Sequence, residues 1–348
     1  MGGSGSLMHP CMKASQWMRV LLWGFLLGAS LARAQDAPLP SSLPMSLMVN
    51  GQARAYWLYV PQSLNASSAQ EKAPLFVVLH GGFTPPKALE QSLSFDALAE
   101  KERFIVAYPS AYRPPPRDWL QPFCFPPFPR CLPTARWNDG RTGLPSEHLG
   151  VDDVAFLKAV VEDVSQKAPV DRSRVFLAGV SNGGVMTYRI ACETPGVFAA
   201  VAAVSANMAE EVAATCALAR PVAFLAIHGD EDPMSPFGGG DMCNKNRRGP
   251  CKKGSVISNA ESVEIFARAN GCAVLPVADF LPQKVDDGTM VERHVYQDCA
   301  PGGEVVRYIV WGGGHGWPPV QNPFAFYGRV TQNLDATETI ARFFLERM

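Results

Sequence analysis

Val175-Phe176-Leu177-Ala178-Gly179-Val180-Ser181-Asn182-Gly183-Gly184 is the stretch whose reading decides the fold. Its first four residues are an apolar run of the kind found in a strand buried on both faces. A Gly-x-Ser-x-Gly pentapeptide follows without a gap, and a helix is expected from about Gly184 to Cys192. A serine at such a sharp strand-to-helix turn is held in a strained conformation that only small neighbours leave room for, and its hydroxyl is pushed out above the sheet. The N-terminus of the following helix favours negative charge developing there. Taken as a bare pattern the pentapeptide is weak, since an ordinary strand-to-helix turn can carry it. Its placement makes it informative.

Working outward, residues 55–60 have strand composition and are closed by Pro61. Residues 75–79, 104–108, 198–204, 222–227 and 305–311 are further apolar strand candidates. Asp152 can cap a helix whose Val154, Leu157, Val161 and Val164 share one face. Asp335-Ala336-Thr337-Glu338 has the spacing of a capping box opening a last helix. Buried strands alternating with amphipathic helices predict an α/β fold with a mostly parallel central sheet and helices on both faces. Eight prolines between 114 and 133 exclude helix or central strand there, so about 112–136 reads as an insertion.

The first 34 residues have the organisation of an export signal. Lys13 and Arg19 precede an apolar run from 20 to 31, and Ala32-Arg33-Ala34 offers a small-x-small cleavage site. The run is shorter than the roughly 20 residues that span a bilayer, so no membrane association is expected after cleavage. Cys11 lies ahead of the run, where a lipid anchor is not expected. Residues 35–47 read as a linker and 48–348 as a single catalytic domain. Cleavage removes three basic residues of 31 and none of the 32 acids, leaving 28 against 32 and a formal charge of −4. No basic stripe is present, which excludes a nucleic-acid partner. Eight cysteines remain: Cys124, Cys131, Cys192, Cys216, Cys243, Cys251, Cys272 and Cys299. An even number behind an export signal reads as disulfides, and a secreted, extracellular or periplasmic monomer is expected. No Cys-x-x-Cys or His-x-x-x-His spacing supports zinc, so no metal and no cofactor is expected.

A serine needs a base and an orienting acid, which on this kind of sheet follow it in the order acid, histidine. After strand 222–227 comes His228-Gly229-Asp230-Glu231-Asp232-Pro233. Asp232 is the candidate, because it lies beyond the strand end, where a loop can turn it toward the base. Asp230 and Glu231 suit turn or loop bonding, and His228 a structural place. Gly312-Gly313-Gly314-His315-Gly316-Trp317-Pro318 follows the last strand, and its glycines let His315 approach the serine. His148 and His294 have no such loop around them. An oxyanion hole is expected from the backbone N–H of Asn182 and one from His80-Gly81-Gly82-Phe83, either Gly82 or Phe83.

These segments resemble the secreted α/β-hydrolases of the extracellular poly(3-hydroxybutyrate) depolymerase and feruloyl esterase family. The similar stretches are His80-Gly81-Gly82, Trp137-Asn138-Asp139-Gly140-Arg141, Gly150-Val151-Asp152-Asp153-Val154, GVSNGG at 179–184, His228 to Pro233 and Gly312 to Pro318. The likeness runs from about Ala53 to the C-terminus. It implies an α/β-hydrolase fold and the triad Ser181, Asp232 and His315, acting through an acyl-enzyme on hydroxyalkanoate esters or on feruloyl and aryl esters of plant polysaccharide. It also implies pairing of Cys192 with Cys216 and of Cys272 with Cys299; Cys124 with Cys131 and Cys243 with Cys251 are the simplest neighbour pairs. The insertion and the 238–251 loop are longer than the resemblance leads one to expect. Trp119, Phe123, Phe125 and Phe128 could line an acyl pocket together with Trp317, or pack the insertion onto the body. A peptidase or acyltransferase on the same fold is the alternative enzyme; a secreted polymer-binding protein without turnover is the alternative of another class.

Overall fold

The apolar runs found in the sequence become the central strands of one sheet. The computed structural model describes residues 42–65, 71–82, 84–113, 135–144, 147, 149–242, 254–322 and 324–347. The strands are β1 (Leu43–Val49), β2 (Gln52–Tyr59), β3 (Ala73–Leu79), β4 (Ile105–Pro109), β5 (Val170–Val180), β6 (Ala200–Val204), β7 (Ala223–Gly229), β8 (Gly240–Asp241), β9 (Ser255–Val256), β10 (Val277–Phe280), β11 (Met290–Tyr296) and β12 (Val305–Trp311). Among the described residues, ten of them form a sheet in the order β1-β2-β4-β3-β5-β6-β7-β12-β11-β10, while β8 and β9 pair separately. From β4 to β12 every pairing is parallel. The strands added at both edges are antiparallel.

The sheet is buried on both faces because its strands are apolar at successive positions. On β3, Leu75, Val77 and Leu79 join one core, and Phe76 and Val78 join the other. The first core is shared with α4 (Asp153–Lys167), α5 (Asn182–Glu193) and α7 (Asn259–Ala269). The second is shared with α2 (Pro86–Leu93), α3 (Phe95–Glu102) and α8 (Ala336–Leu345). Two shorter helices, α1 (Gln62–Asn65) and α6 (Glu210–Thr215), complete the set introduced here. In the second core Phe344 stacks on Phe176 with ring centroids 4.9 Å apart. Asp152 and Asp335 cap α4 and α8 as expected, accepting from the N–H groups of Ala155 and Glu338.

One boundary differs from the sequence reading. The 35–47 segment is not linker throughout: β1 begins at Leu43 and pairs with β2 over its whole length. Met45 and Leu47 pack against the first core, and Val49 is buried within it. Proline and serine conceal this alternation in the sequence, yet Pro44 is tolerated because β1 is an edge strand. The two strands are joined by Asn50-Gly51, both at positive φ (49° and 78°), a tight hairpin link. The described part of the chain belongs to one compact unit spanning Pro40–Met348. Most of the 112–136 insertion, with Trp119, Phe123, Phe125, Phe128, Cys124 and Cys131, lies outside the described residues, as do Cys243, Cys251 and His148.

Both disulfides implied by the resemblance are formed. Cys192–Cys216 joins the end of α5 to the end of α6, and Cys272–Cys299 ties the residues after α7 to the turn ahead of β12. Cross-links over separations of 24 and 27 residues remove closure entropy from the unfolded chain, each worth about 3 kcal/mol. Replacing Cys272 and Cys299 together by alanine is expected to lower the free energy of unfolding by about 3 kcal/mol, read from urea denaturation under oxidising conditions.

Candidate active site

The site lies beyond the carboxyl ends of β3, β5, β7 and β12. Ser181 follows β5 directly, with φ 56° and ψ −123°, a conformation L residues rarely adopt. Two glycines make the elbow possible by close approach. A side chain at Gly179 would begin 2.3 Å from the Gly183 carbonyl oxygen, and one at Gly183 would begin 2.5 Å from that of His80. The elbow is anchored by the Ser181 N–H donating to the Val204 carbonyl at 2.9 Å. Helix α5 starts at Asn182, two residues earlier than the sequence suggested, so its first N–H groups stand at the serine.

His315 Nε2 lies 2.9 Å from Ser181 Oγ, and His315 Nδ1 lies 2.8 Å from Asp232 Oδ2. The three residues are thus within hydrogen-bond reach in the order that acyl-transfer chemistry needs. The glycine loop works differently from the sequence argument. Only Gly312 among its glycines has positive φ (72°). A side chain at Gly314 would begin 2.2 Å from the Tyr327 carbonyl oxygen, so that glycine lets the loop pack against 327–329. The N–H groups of Gly314 and His315 donate to the carbonyls of Arg329 and Tyr327. Ser205 Oγ both donates to the Gly316 carbonyl (2.8 Å) and accepts from its N–H (3.0 Å).

The three competing acids are separated by their partners. Asp232 Oδ1 accepts from the N–H groups of Met234 and Ser235, both at 2.8 Å. Its Oδ2 faces His315 and, at 3.2 Å, His228 Nε2. Burial alone would raise this carboxyl. The charge on His315 and the hydrogen bonds from His228 and His315 outweigh burial and hold it well below the usual carboxylate range. Asp230 instead accepts from the Gly312 N–H at 2.6 Å, pinning the loop that carries His315. Glu231 is a surface residue 3.7 Å from Arg329. His228 is buried, as a structural residue should be, but its contact with Asp232 makes it part of the site's support. Its Nε2 faces two acceptors, Asp232 and the Ser235 carbonyl, so it carries the proton.

Trp137-Asn138-Asp139-Gly140-Arg141, quoted above only for its resemblance, clamps Asn182. The Asn182 side chain accepts from the Trp137 N–H at 2.8 Å and donates to Asp139 Oδ2 at 2.5 Å. Arg141 forks onto the same carboxylate through Nε and Nη2. The Trp137 indole donates to the His80 carbonyl at 2.8 Å, just ahead of Gly81-Gly82. Gly82 lies alongside: a side chain on it would begin 3.9 Å from the Asn182 Cβ. The two loops expected to form an oxyanion hole are therefore adjacent, with Gly82 the member described and Phe83 outside the described residues. No sequence signal other than the motif itself pointed to this clamp, because its partners are 43 and 45 residues away.

A pocket of about 380 Å³ opens at Ser181 and His315. Trp317 forms part of its wall, although the indole is largely buried and donates to Thr337 Oγ1 at 2.9 Å. Phe324 and Tyr327 line the mouth, and Tyr327 stacks on His315 with centroids 5.8 Å apart. Trp119 and Phe123 lie outside the described residues.

A strand-to-helix elbow that holds a serine within reach of a loop histidine, and that histidine within reach of a buried aspartate, above a mostly parallel sheet defines an α/β-hydrolase. A solved acetyl xylan esterase from Aspergillus awamori shares this fold, with a TM-score of 0.53 at 15% identity over 86% of this chain and 98% of that one. Residues 54–224 match the family model described as Esterase PHB depolymerase. A putative esterase, NocK, from Nocardia uniformis subsp. tsuyamanensis is 30% identical over 303 residues, covering 86% of this chain and 81% of its own. A probable feruloyl esterase C of Aspergillus niger is 31% identical over 169 residues, covering 49% of this chain and 52% of that protein, so the match spans about half of its length. The chain belongs to the poly(3-hydroxybutyrate) depolymerase and feruloyl esterase family, and it is a carboxylic-ester hydrolase.

Two outcomes test the supports of this site. His80 is buried and neutral: burial pushes its imidazole down to about 4, against a raising contribution from its bond to the Gly81 carbonyl. Its Nε2 accepts from the Ala111 N–H at 3.0 Å, which an imidazolium cannot do. The unfolded chain takes up this proton near the ordinary histidine value of 6.5 and the folded one only near 4, so folded stability should fall as the pH is lowered from the first value to the second. The loss should total about 3 kcal/mol, and His80→Gln should flatten that part of the urea-denaturation pH profile. Removing the Asp139 carboxylate by Asp139→Ala leaves Arg141 buried without its counter-charge. A loss of about 3–5 kcal/mol is expected in the same measurement.

Proposed function

We propose that the protein is a secreted serine esterase that cleaves carboxylic esters through an acyl-enzyme, with oligomeric hydroxyalkanoate esters as its substrate class. The observation that carries this reading is the continuous pair of short contacts from Ser181 through His315 to Asp232. Ser181 Oγ attacks the ester carbonyl carbon while His315 Nε2 takes its proton. Asp232, accepting from Nδ1–H, keeps the ring in the tautomer whose Nε2 is free to do so and stabilises the imidazolium that forms. The tetrahedral oxyanion is received by the N–H groups of Asn182 and Gly82, each such donor being worth about 3 kcal/mol in the transition state. His315 returns the proton to the departing alkoxide, so the alcohol leaves and an acyl-serine remains. Water, deprotonated by the same nitrogen, then releases the acid.

Export is supported by the signal-like first 34 residues and by two disulfides, which persist in oxidising compartments. The family supports hydroxyalkanoate and feruloyl esters alike. A second reading, aryl esters of plant polysaccharide, is favoured by the aromatic cluster of Phe324, Phe326 and Tyr327 beside His315.

A fluorophosphonate probe should label wild-type protein at Ser181, and Ser181→Ala should lose labelling together with at least about 10⁴-fold of its kcat on a short 4-nitrophenyl ester. Persistent turnover in that variant would refute the assignment. Among 3-hydroxybutyrate oligomers, methyl ferulate and short acetyl esters, the oligomers should give the highest kcat/KM; methyl ferulate in first place would favour the second reading instead.

A further inference from the structure

His228 touches Asp232, yet none of the proton transfers described above uses it. Its Nε2 faces Asp232 Oδ2 at 3.2 Å and the Ser235 carbonyl at 3.0 Å. Its Nδ1 faces Asn207 Oδ1 at 2.9 Å. That amide is oriented from its other end: Asn207 Nδ2 donates to the Pro236 carbonyl at 2.8 Å, so the oxygen is the atom turned to the ring. Asn259, at the start of α7, donates through Nδ2 to the same Asn207 oxygen at 3.1 Å and stands 3.3 Å from Nδ1. Were Nδ1 to accept from Asn259, its lone pair would meet that of the Asn207 oxygen at 2.9 Å. Both ring nitrogens therefore point at acceptors, and only a ring protonated at both satisfies them. A buried cation needs a counter-charge, and the Asp232 carboxylate, equally buried, stands in contact with it. Among the described residues the other groups around the ring are the neutral amides of Asn207 and Asn259 and the ring of Phe237, edge-on at 5.6 Å. Arg307, from β12, lies over that same Phe237 ring at 5.3 Å. His315 stands across Asp232 Oδ2.

We infer that His228 is a buried imidazolium and a positioning residue: sharing Asp232 Oδ2 with His315, it holds the carboxylate in place and extends the enzyme's activity toward acid pH. This rests on the serine-esterase reading, in which His315 acts as a base only while its Nε2 is unprotonated. Two effects have the same sign. The bond from His228 draws charge from the oxygen that would stabilise a His315 imidazolium, and a cation already in contact with that oxygen repels a second one. Resting His315 is thus kept neutral at a pH where it would otherwise be protonated. His228 makes no contact with the reacting atoms in this reading; the bond-making steps remain those of Ser181 and His315.

Nitrogen NMR of protein labelled with 15N in its histidines reads the ring directly. At about pH 8, where a free imidazole is neutral, one histidine of the wild type should show both ring nitrogens protonated. That signal should vanish in His228→Gln, which keeps a side-chain N–H but carries no charge. In the same variant the acid limb of the pH profile of kcat/KM, measured on a short 4-nitrophenyl ester, should move up by about one pH unit. His228→Leu, which lacks the donor as well, should move it at least as far. A residue that only supported the fold would lower the plateau and leave the limb in place. A wild-type spectrum without a doubly protonated histidine, or an acid limb unmoved or lowered in His228→Gln, would overturn the inference while leaving the esterase reading intact. If the His228 variants fail to fold, Asn207→Leu replaces them: it takes the acceptor from Nδ1, so the doubly protonated signal should be lost, and its survival would count against the inference. Absence of turnover in the wild type would instead remove the esterase reading, and the kinetic part of this inference with it.

Discussion

A carboxylate taken out of water must be met by donors on every side, and Asp232 meets four of them. Two are backbone N–H groups of its own turn, at Met234 and Ser235, and two are imidazoles, His315 and His228. This one group ties the end of β7 to the loop after β12, and through His315 to the elbow after β5. The energetic logic is that an uncompensated buried charge costs several kcal/mol, so the turn, the loop and the second histidine are held to a single arrangement. Asp230 strengthens the same junction by holding Gly312, which fixes where the histidine loop leaves the sheet. The geometry at the serine is thereby set in part by groups that stand behind His315.

A second polar layer holds Asn182, the residue that follows the serine. Asp139 carries Arg141 and Asn182 together, while Asp153 pairs with Arg54 at 2.5 Å and accepts from the Asn138 N–H at 2.7 Å. Asp153 is pushed up by burial, against the lowering effect of Arg54 and the Asn138 N–H, so the pair is expensive and poorly replaceable by either partner alone. Such pairs add little to stability relative to an apolar replacement, but removing one partner leaves a buried charge uncompensated, which favours the single register in which both meet. Here that register connects β2, the start of α4 and the residue that follows the serine. The protein spends buried charge on placing Asn182, whose N–H lies at the first turn of α5.

Which parts could be read in advance follows from the range of the forces involved. The apolar runs 75–79, 175–178, 222–227 and 305–311 were legible because a strand buried on both faces announces itself locally, and the helices after Asp152 and Asp335 because capping is local too. Strand β1 was not, since an edge strand needs only one apolar face, and Pro44 with its neighbouring serines reads as a linker. The Asn50-Gly51 hairpin link was the local signal that could have recovered it. Edge strand β10 is exposed along its length, and its neighbour β11 is mostly half-buried, so neither carries a continuous apolar run. Among site residues, Ser181 and His315 stood out through their glycines. Asp232 had to be chosen from three acids by position, and Ser205, His228 and Asp139 carry no local mark of what they support.

By itself the sequence determined the doubly covered parallel sheet and singled out Ser181, Asp232 and His315, which the structure brings together. Strand burial, the elbow and chain order are properties of short segments, and short segments are enough to specify them. Only the tertiary structure decided how Asp232 is distinguished from Asp230 and why the Trp137–Arg141 motif matters. Those are relations among residues 40 to more than 80 positions apart, produced when loops from different strand ends converge. No local pattern encodes a convergence of that range. It exists only once the sheet has brought its strand ends together.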